Sequence, residues 1–145
     1  MPGHMLDILL VEDNKYNVEF MLEALKKHNL ADRVKVFRDG EEALDYLFAT
    51  GEFSGRDPCQ QPRVILLDLR LPKIDGLEIL QRIRANEMTK MIPVVVFSSS
   101  SEDRDRLESY RLGANSYITK PVFYDDFMKT VTEIGSYWAL QNIPP

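Results

Sequence analysis

Val64-Ile65-Leu66-Leu67-Asp68 is a run of four apolar residues stopped by a carboxylate. With no polar residue at alternate positions it reads as a strand covered on both faces, as in parallel sheets flanked by helices. The same pattern stands at Ile8-Leu9-Leu10-Val11, closed by Glu12-Asp13, and at Val94-Val95-Val96-Phe97, closed by Ser98. Val34-Lys35-Val36-Phe37 alternates at Lys35, which suits an edge strand, and Ser116-Tyr117-Ile118 is a weaker fifth run ahead of Lys120-Pro121.

Helical stripes fill the intervals. Val18, Met21, Leu22 and Leu25 recur at i, i+3, i+4, i+7. Ala43, Leu44, Leu47 and Phe48 follow Asp39-Gly40, and Leu77, Leu80 and Ile83 follow Asp75, a good N-cap. Glu102 to Leu112 is charged on most faces and stops at Gly113, while Phe127, Val131, Ile134 and Trp138 mark a last helix. Five βα units with right-handed crossovers predict an α/β fold. We expect a five-stranded, doubly wound parallel sheet of order 2-1-3-4-5 with five helices, flavodoxin-like rather than an eight-unit barrel.

Composition narrows the function. The 145 residues, 44% apolar and 28% charged, suit one folded domain. A single cysteine, Cys59, excludes an internal disulfide and a cysteine-rich zinc site. The net charge of −5 argues against nucleic acid or an anionic membrane as partner. No apolar run approaches the ~20 residues of a membrane span, and no signal peptide is legible, so a cytoplasmic location is expected. Met1 to Met5 look like the remnant of an expression tag and the natural start, leaving a domain over 6–140 and a tail over 141–145. His28 lies in the polar end of a helical pattern, so a catalytic triad or histidine-rich metal site is not expected. Gly51 to Pro62, with two Gly and two Pro, is long for a connection and reads as a surface loop carrying an exposed Cys59.

In an open parallel sheet, ligands gather at the carboxyl ends of the strands. Those ends carry Glu12-Asp13, Asp68, Ser98 and, just past the fifth strand, Lys120. If the first and third strands are neighbours, three carboxylates converge, with Ser98 and Lys120 opposite. Converging carboxylates raise each other's cost of ionisation, and a hard divalent cation relieves it. Without cysteine or histidine nearby, magnesium or manganese fits better than zinc or copper. A carboxylate, a cation, a hydroxyl and an ammonium around one small volume suit phosphoryl transfer to an aspartate, with Asp68, alone at its strand end, as acceptor.

These residues resemble the receiver domain of two-component response regulators, over Leu6 to about Trp138. The matching segments are Ile8 to Asn14, Leu66 to Gly76, Pro93 to Ser98 and Gly113 to Pro121. The intervals of 30 residues from Asp68 to Ser98 and 22 from Ser98 to Lys120 fit as well. The resemblance implies that Asp68 accepts a phosphoryl group from a histidine on a partner kinase. It implies that Glu12, Asp13, Asp68 and the backbone carbonyl of Arg70 bind Mg2+, and that Lys120 bridges to the phosphoryl oxygen. It further implies a cis bond before Pro121, a Ser98 that moves toward the phosphate, and a Tyr117 that turns inward behind it. The long connection before the third strand, the Ser98 to Ser101 run, the Ile-Thr-Lys-Pro turn and the Tyr137-Trp138 close are also similar to the stand-alone regulators paired with bacterial phytochromes. Arg70 and Ser100 stand where the family varies most.

A switch of this kind is a signalling phosphoprotein rather than an enzyme. Two other classes remain as alternatives. An aspartyl-phosphate hydrolase of the haloacid-dehalogenase type places a second Asp two positions after the nucleophile, where this chain has Arg70. A flavodoxin-like cofactor carrier would need a Gly-rich phosphate turn after the first strand, where Glu12-Asp13 stand. Only about 25 residues follow Lys120, too few for an output domain, so output is expected through an unidentified downstream protein or a homodimer. The fourth and fifth elements and the Tyr137, Leu140, Ile143 tail would form that homodimer.

Overall fold

A computed structural model describes residues 6–145; the expected tag remnant, residues 1–5, lies outside them. The five apolar runs form strands β1 (Ile8–Val11), β2 (Val34–Phe37), β3 (Val64–Leu67), β4 (Val94–Ser98) and β5 (Ser116–Thr119). All pair in parallel in the order β2-β1-β3-β4-β5, as the alternation of runs and helical stripes predicts. Helices α1 (Lys15–Lys26), α2 (Gly40–Phe48), α3 (Gly76–Ala85), α4 (Asp103–Arg111) and α5 (Tyr124–Gly135) follow the strands in turn.

Strand residues alternate between two cores. Ile8, Leu10, Leu66, Val95 and Phe97 face a layer built from Met21 and Leu25 of α1 and Phe127 and Val131 of α5. Leu9, Val11, Ile65, Leu67 and Val94 face Leu44 and Leu47 of α2 and Ile79, Leu80 and Ile83 of α3. Both faces of β1, β3 and β4 are therefore dry, which is why those strands carry no polar residue before Ser98 at the end of β4. β2 is an edge strand with Lys35 exposed, as its alternation requires.

Helix starts follow local chemistry. Asn14 Oδ1 accepts from the Tyr16 and Asn17 N–H groups at 2.9 and 3.1 Å, Asp39 Oδ1 from Glu42 N at 2.8 Å, and Asp75 Oδ1 from Leu77 N at 3.3 Å. Gly113, at φ +108°, ends α4 in a conformation that disfavours any side chain. α5 runs on into a wider, π-type stretch, Ser136–Gln141, which buries Ala139 and packs Trp138 on the core.

The 51–62 connection is better fastened than a free surface loop. Phe53 packs edge-on to Phe37 and Tyr46, with ring centroids 5.7 and 5.3 Å away, and the Arg56 guanidinium stacks 4.0 Å from the Tyr46 centroid. The run of polar residues in this stretch hides that clasp, because the partners of Phe53 lie on β2 and α2. Cys59 is exposed, as expected.

Candidate functional site

Three backbone hydrogen bonds carry the sheet one residue past its strands and set the site. Glu12 N donates to Phe37 O at 3.0 Å, Asp68 N to Val11 O at 3.0 Å, and Lys120 N to Ser98 O at 2.7 Å. With Val11 beside Leu67 in the register, Glu12 and Asp68 emerge side by side. Gly76 then lets the first turn of α3 close on the loop after Asp68. A Cβ there would lie 2.4 Å from Asp68 O and 2.6 Å from Leu69 Cα, closer than any side chain tolerates.

Carboxylate oxygens of Glu12, Asp13 and Asp68 all come within 4.8 Å of one another. Lys120 Nζ donates to Glu12 Oε1 at 2.6 Å and to Asp68 Oδ2 at 3.1 Å. These three side chains are only 9, 3 and 8% exposed, whereas Asp13 faces solvent. Glu12 Oε2 also accepts from Asn14 N at 3.1 Å, and Asp68 Oδ1 lies 3.4 Å from Arg70 N. Burial pushes the Glu12 carboxyl above the ordinary glutamate range, with the Lys120 ammonium pulling the other way.

One ammonium faces three carboxylates, so the cluster keeps uncompensated negative charge. The donors are hard oxygens, and their spacing is comparable with the ~4.2 Å between trans oxygens of a magnesium octahedron. A divalent cation of the magnesium or manganese type fits that set. Exposed His28 and Cys59 lie elsewhere, so nothing in the cluster favours a softer metal.

Ser98 is fully buried at the end of β4, and its Oγ accepts from Ser100 N at 3.2 Å. Tyr117 is half-buried on β5; its hydroxyl donates to Ser100 O at 2.8 Å, and its N–H to the Tyr110 hydroxyl at 3.1 Å. Arg70 is exposed, and its guanidinium turns from Asp68 to Asp105, with Nη2 3.0 Å from Oδ2.

Comparison with known proteins gives this arrangement a context. The family model for the response regulator receiver domain matches residues 8–132. The chain belongs to that family. The receiver domain is 40% identical over 131 residues to the response regulator Rcp1 of Synechocystis sp. (strain PCC 6803), covering 90% of this chain and 87% of Rcp1. A structure of Rcp1 in its Mn2+-bound form superposes with a TM-score of 0.87 at 39% identity, over 95% of this chain and 97% of that one. The phosphorylated cyanobacterial phytochrome response regulator RcpA superposes with a TM-score of 0.89 at 39% identity, over 99% of each chain. FilR2 of Methanothrix harundinacea (strain 6Ac), named for methanogenesis regulation, is 43% identical over 138 residues, covering 95% of this chain and 86% of FilR2. The resemblance to stand-alone phytochrome regulators is thus shared by close relatives, and the receiver is a phosphorylation-activated module of two-component signalling. Among the described residues no helix is long and apolar enough to cross a membrane.

One expectation needs correction. No peptide bond among the described residues is cis, so the bond before Pro121 is trans. The Lys120 N–H continues the β4–β5 ladder, and the side chain reaches both carboxylates from there without the rarer isomer. Two residues of the receiver site were not legible in the sequence. Arg38 Nη2 donates to Asp13 O at 2.7 Å, tethering the exposed acid's backbone from the β2–α2 turn. Asp105 is buried in a helix whose composition reads as polar on most faces; the only hint is its i, i+4 spacing to the buried Ser109.

Proposed function

We propose that Asp68 is the phosphoryl acceptor of this receiver and that the donor is a phosphohistidine on a partner sensor kinase. The observation that carries the reading is the buried Lys120 ammonium shared between Asp68 and Glu12 at the edge of a carboxylate cluster. An Asp68 oxygen attacks phosphorus, the P–O bond forms as the P–N bond breaks, and the imidazole nitrogen takes up a proton. Lys120 holds one Asp68 oxygen in place and, turning from it, neutralises a phosphoryl oxygen. Glu12, Asp13 and Asp68, with the backbone carbonyl of Arg70, would hold Mg2+, which when bound neutralises the transferring phosphoryl group.

Ser98 and Tyr117 form the switch. The Ser98 hydroxyl gains a partner when the phosphoryl group arrives, and Tyr117, already tied to Ser100 O, follows the β4–α4 loop inward. Arg70 offers no carboxylic acid where a hydrolase needs one, so the group is held as a signal rather than turned over. Likeness to RcpA supports a phytochrome-type histidine kinase as partner, and the fold and charge suit a cytoplasmic module acting on another protein. Exposed Tyr137, Leu140 and Ile143 beyond α5 support a homodimer through the C-terminal elements, with the domain over 6–140 and a tail over 141–145.

Incubation with acetyl phosphate tests the acceptor. We expect one phosphoryl group per chain with Mg2+, little without it, and none for Asp68→Asn at unchanged circular dichroism. Labelling that survives the substitution overturns the assignment.

A further inference from the structure

We propose that Asp105 is a brake on the switch, a positioning residue that holds Arg70 and Ser100 in the unphosphorylated arrangement; this rests on Asp68 as the acceptor. Oδ2 of Asp105 accepts from two side chains, Arg70 Nη2 at 3.0 Å and Ser100 Oγ at 2.6 Å. Arg70 stands two residues after Asp68, and Ser100 two residues after Ser98. Ser100 in turn donates its N–H to Ser98 Oγ and accepts from the Tyr117 hydroxyl at its carbonyl. One carboxylate oxygen therefore joins the acceptor loop to both residues of the switch.

An acid in the first turn of a helix is commonly a cap, its oxygens accepting from backbone N–H groups. Asp105 makes no such bond. Its carboxylate is 9% exposed, and its partners come from the β3–α3 and β4–α4 loops. When Ser98 moves to the phosphoryl group, the Ser98–Ser100 segment shifts with it and draws Ser100 Oγ off Asp105. The charge of about −1.5 to −2 arriving on Asp68 competes for the Arg70 guanidinium. Both charge-assisted bonds oppose activation. Because the Arg70 side chain is 62% exposed, screening keeps their effect modest.

The test measures binding of beryllofluoride, a phosphoryl mimic, to the full chain with Mg2+ by calorimetry. Asp105→Asn keeps size and removes charge, and it should tighten binding roughly three- to tenfold. At least half of that gain should vanish when Arg70→Gln is already present, since neighbouring residues couple. Ser100→Ala, which leaves the acid in place, should give a gain of about twofold and serves as the probe if Asp105→Asn fails to fold. A helix cap would instead give a lower melting temperature with unchanged or weaker binding, and that result overturns the brake. So does a gain of equal size with and without Arg70. Wild-type protein that ignores beryllofluoride, or binds it equally after Asp68→Asn, removes the acceptor reading and the brake with it.

Discussion

The two ends of the sheet both bury aspartates, and they treat them differently. At the amino end, Asp7 precedes β1 and pairs with Arg33 at 2.8 Å, while its carbonyl accepts from the N–H groups of Arg63 and Val64. Arg63 also donates from Nη2 to Asn142 O at 3.1 Å, fastening the chain beyond α5. There one acid meets one base. At the carboxyl end three acids cluster beside one ammonium, which pairs with the two buried ones, Glu12 and Asp68. A balanced pair does structural work at modest net gain, whereas a surplus of like charge costs stability until a cation or a new bond relieves it. Burial alone does not set the two ends apart; the balance of charge does.

Breaking the comparison at its strongest point means removing the proposed acceptor. Asp68→Asn should lower acetyl phosphate labelling a hundredfold or more, while Asp7→Asn should leave labelling within about twofold of wild type, since its neighbours belong to the other end. Radiolabel incorporation reads both.

Backbone geometry sharpens the contrast next. Gly76→Ala sets a methyl group 2.4 Å from Asp68 O and should destabilise the fold by about 2–4 kcal/mol in urea titrations. Gly55→Ala, with nothing within 4 Å of the added carbon, should stay within about 0.5 kcal/mol.

Charge balance can then be tested directly. Asp13→Asn removes one of the surplus acids and should weaken Mg2+ binding about tenfold. Saturating Mg2+, at a hundred times its dissociation constant, should stabilise the wild type by about 2.7 kcal/mol, and the same concentration should stabilise the variant by about 1.4 kcal/mol. Thermal melts with and without the ion give the difference. The smallest effect on the site belongs to the balanced end. Arg33→Ala leaves the buried Asp7 carboxylate without its partner and should cost about 1–3 kcal/mol, with no change in Mg2+ affinity.

Most of the fold was legible because continuous apolar runs have one good solution in a chain of this size, a parallel sheet covered on both faces. Placing Glu12, Asp13, Asp68, Ser98 and Lys120 at strand ends followed from the same runs, and strand order brought them together. What the sequence could not show was anything depending on side-chain direction across elements. Asp105 sits in a helix where seven of nine residues are not buried, and only the three-dimensional approach of the two loops makes its carboxylate a junction. The clasp of Phe53 and Arg56 on Tyr46 was hidden for the same reason. The bond before Pro121 is trans, an isomer that the Lys-Pro dipeptide alone does not fix.

Peptide mapping of the phosphoryl group after acetyl phosphate treatment addresses the imbalance most directly. A single label is expected on the peptide containing Asp68, dependent on Mg2+ and absent from the peptide containing Asp7. A label on any other residue, or one that forms equally well with the divalent cation chelated, would contradict it.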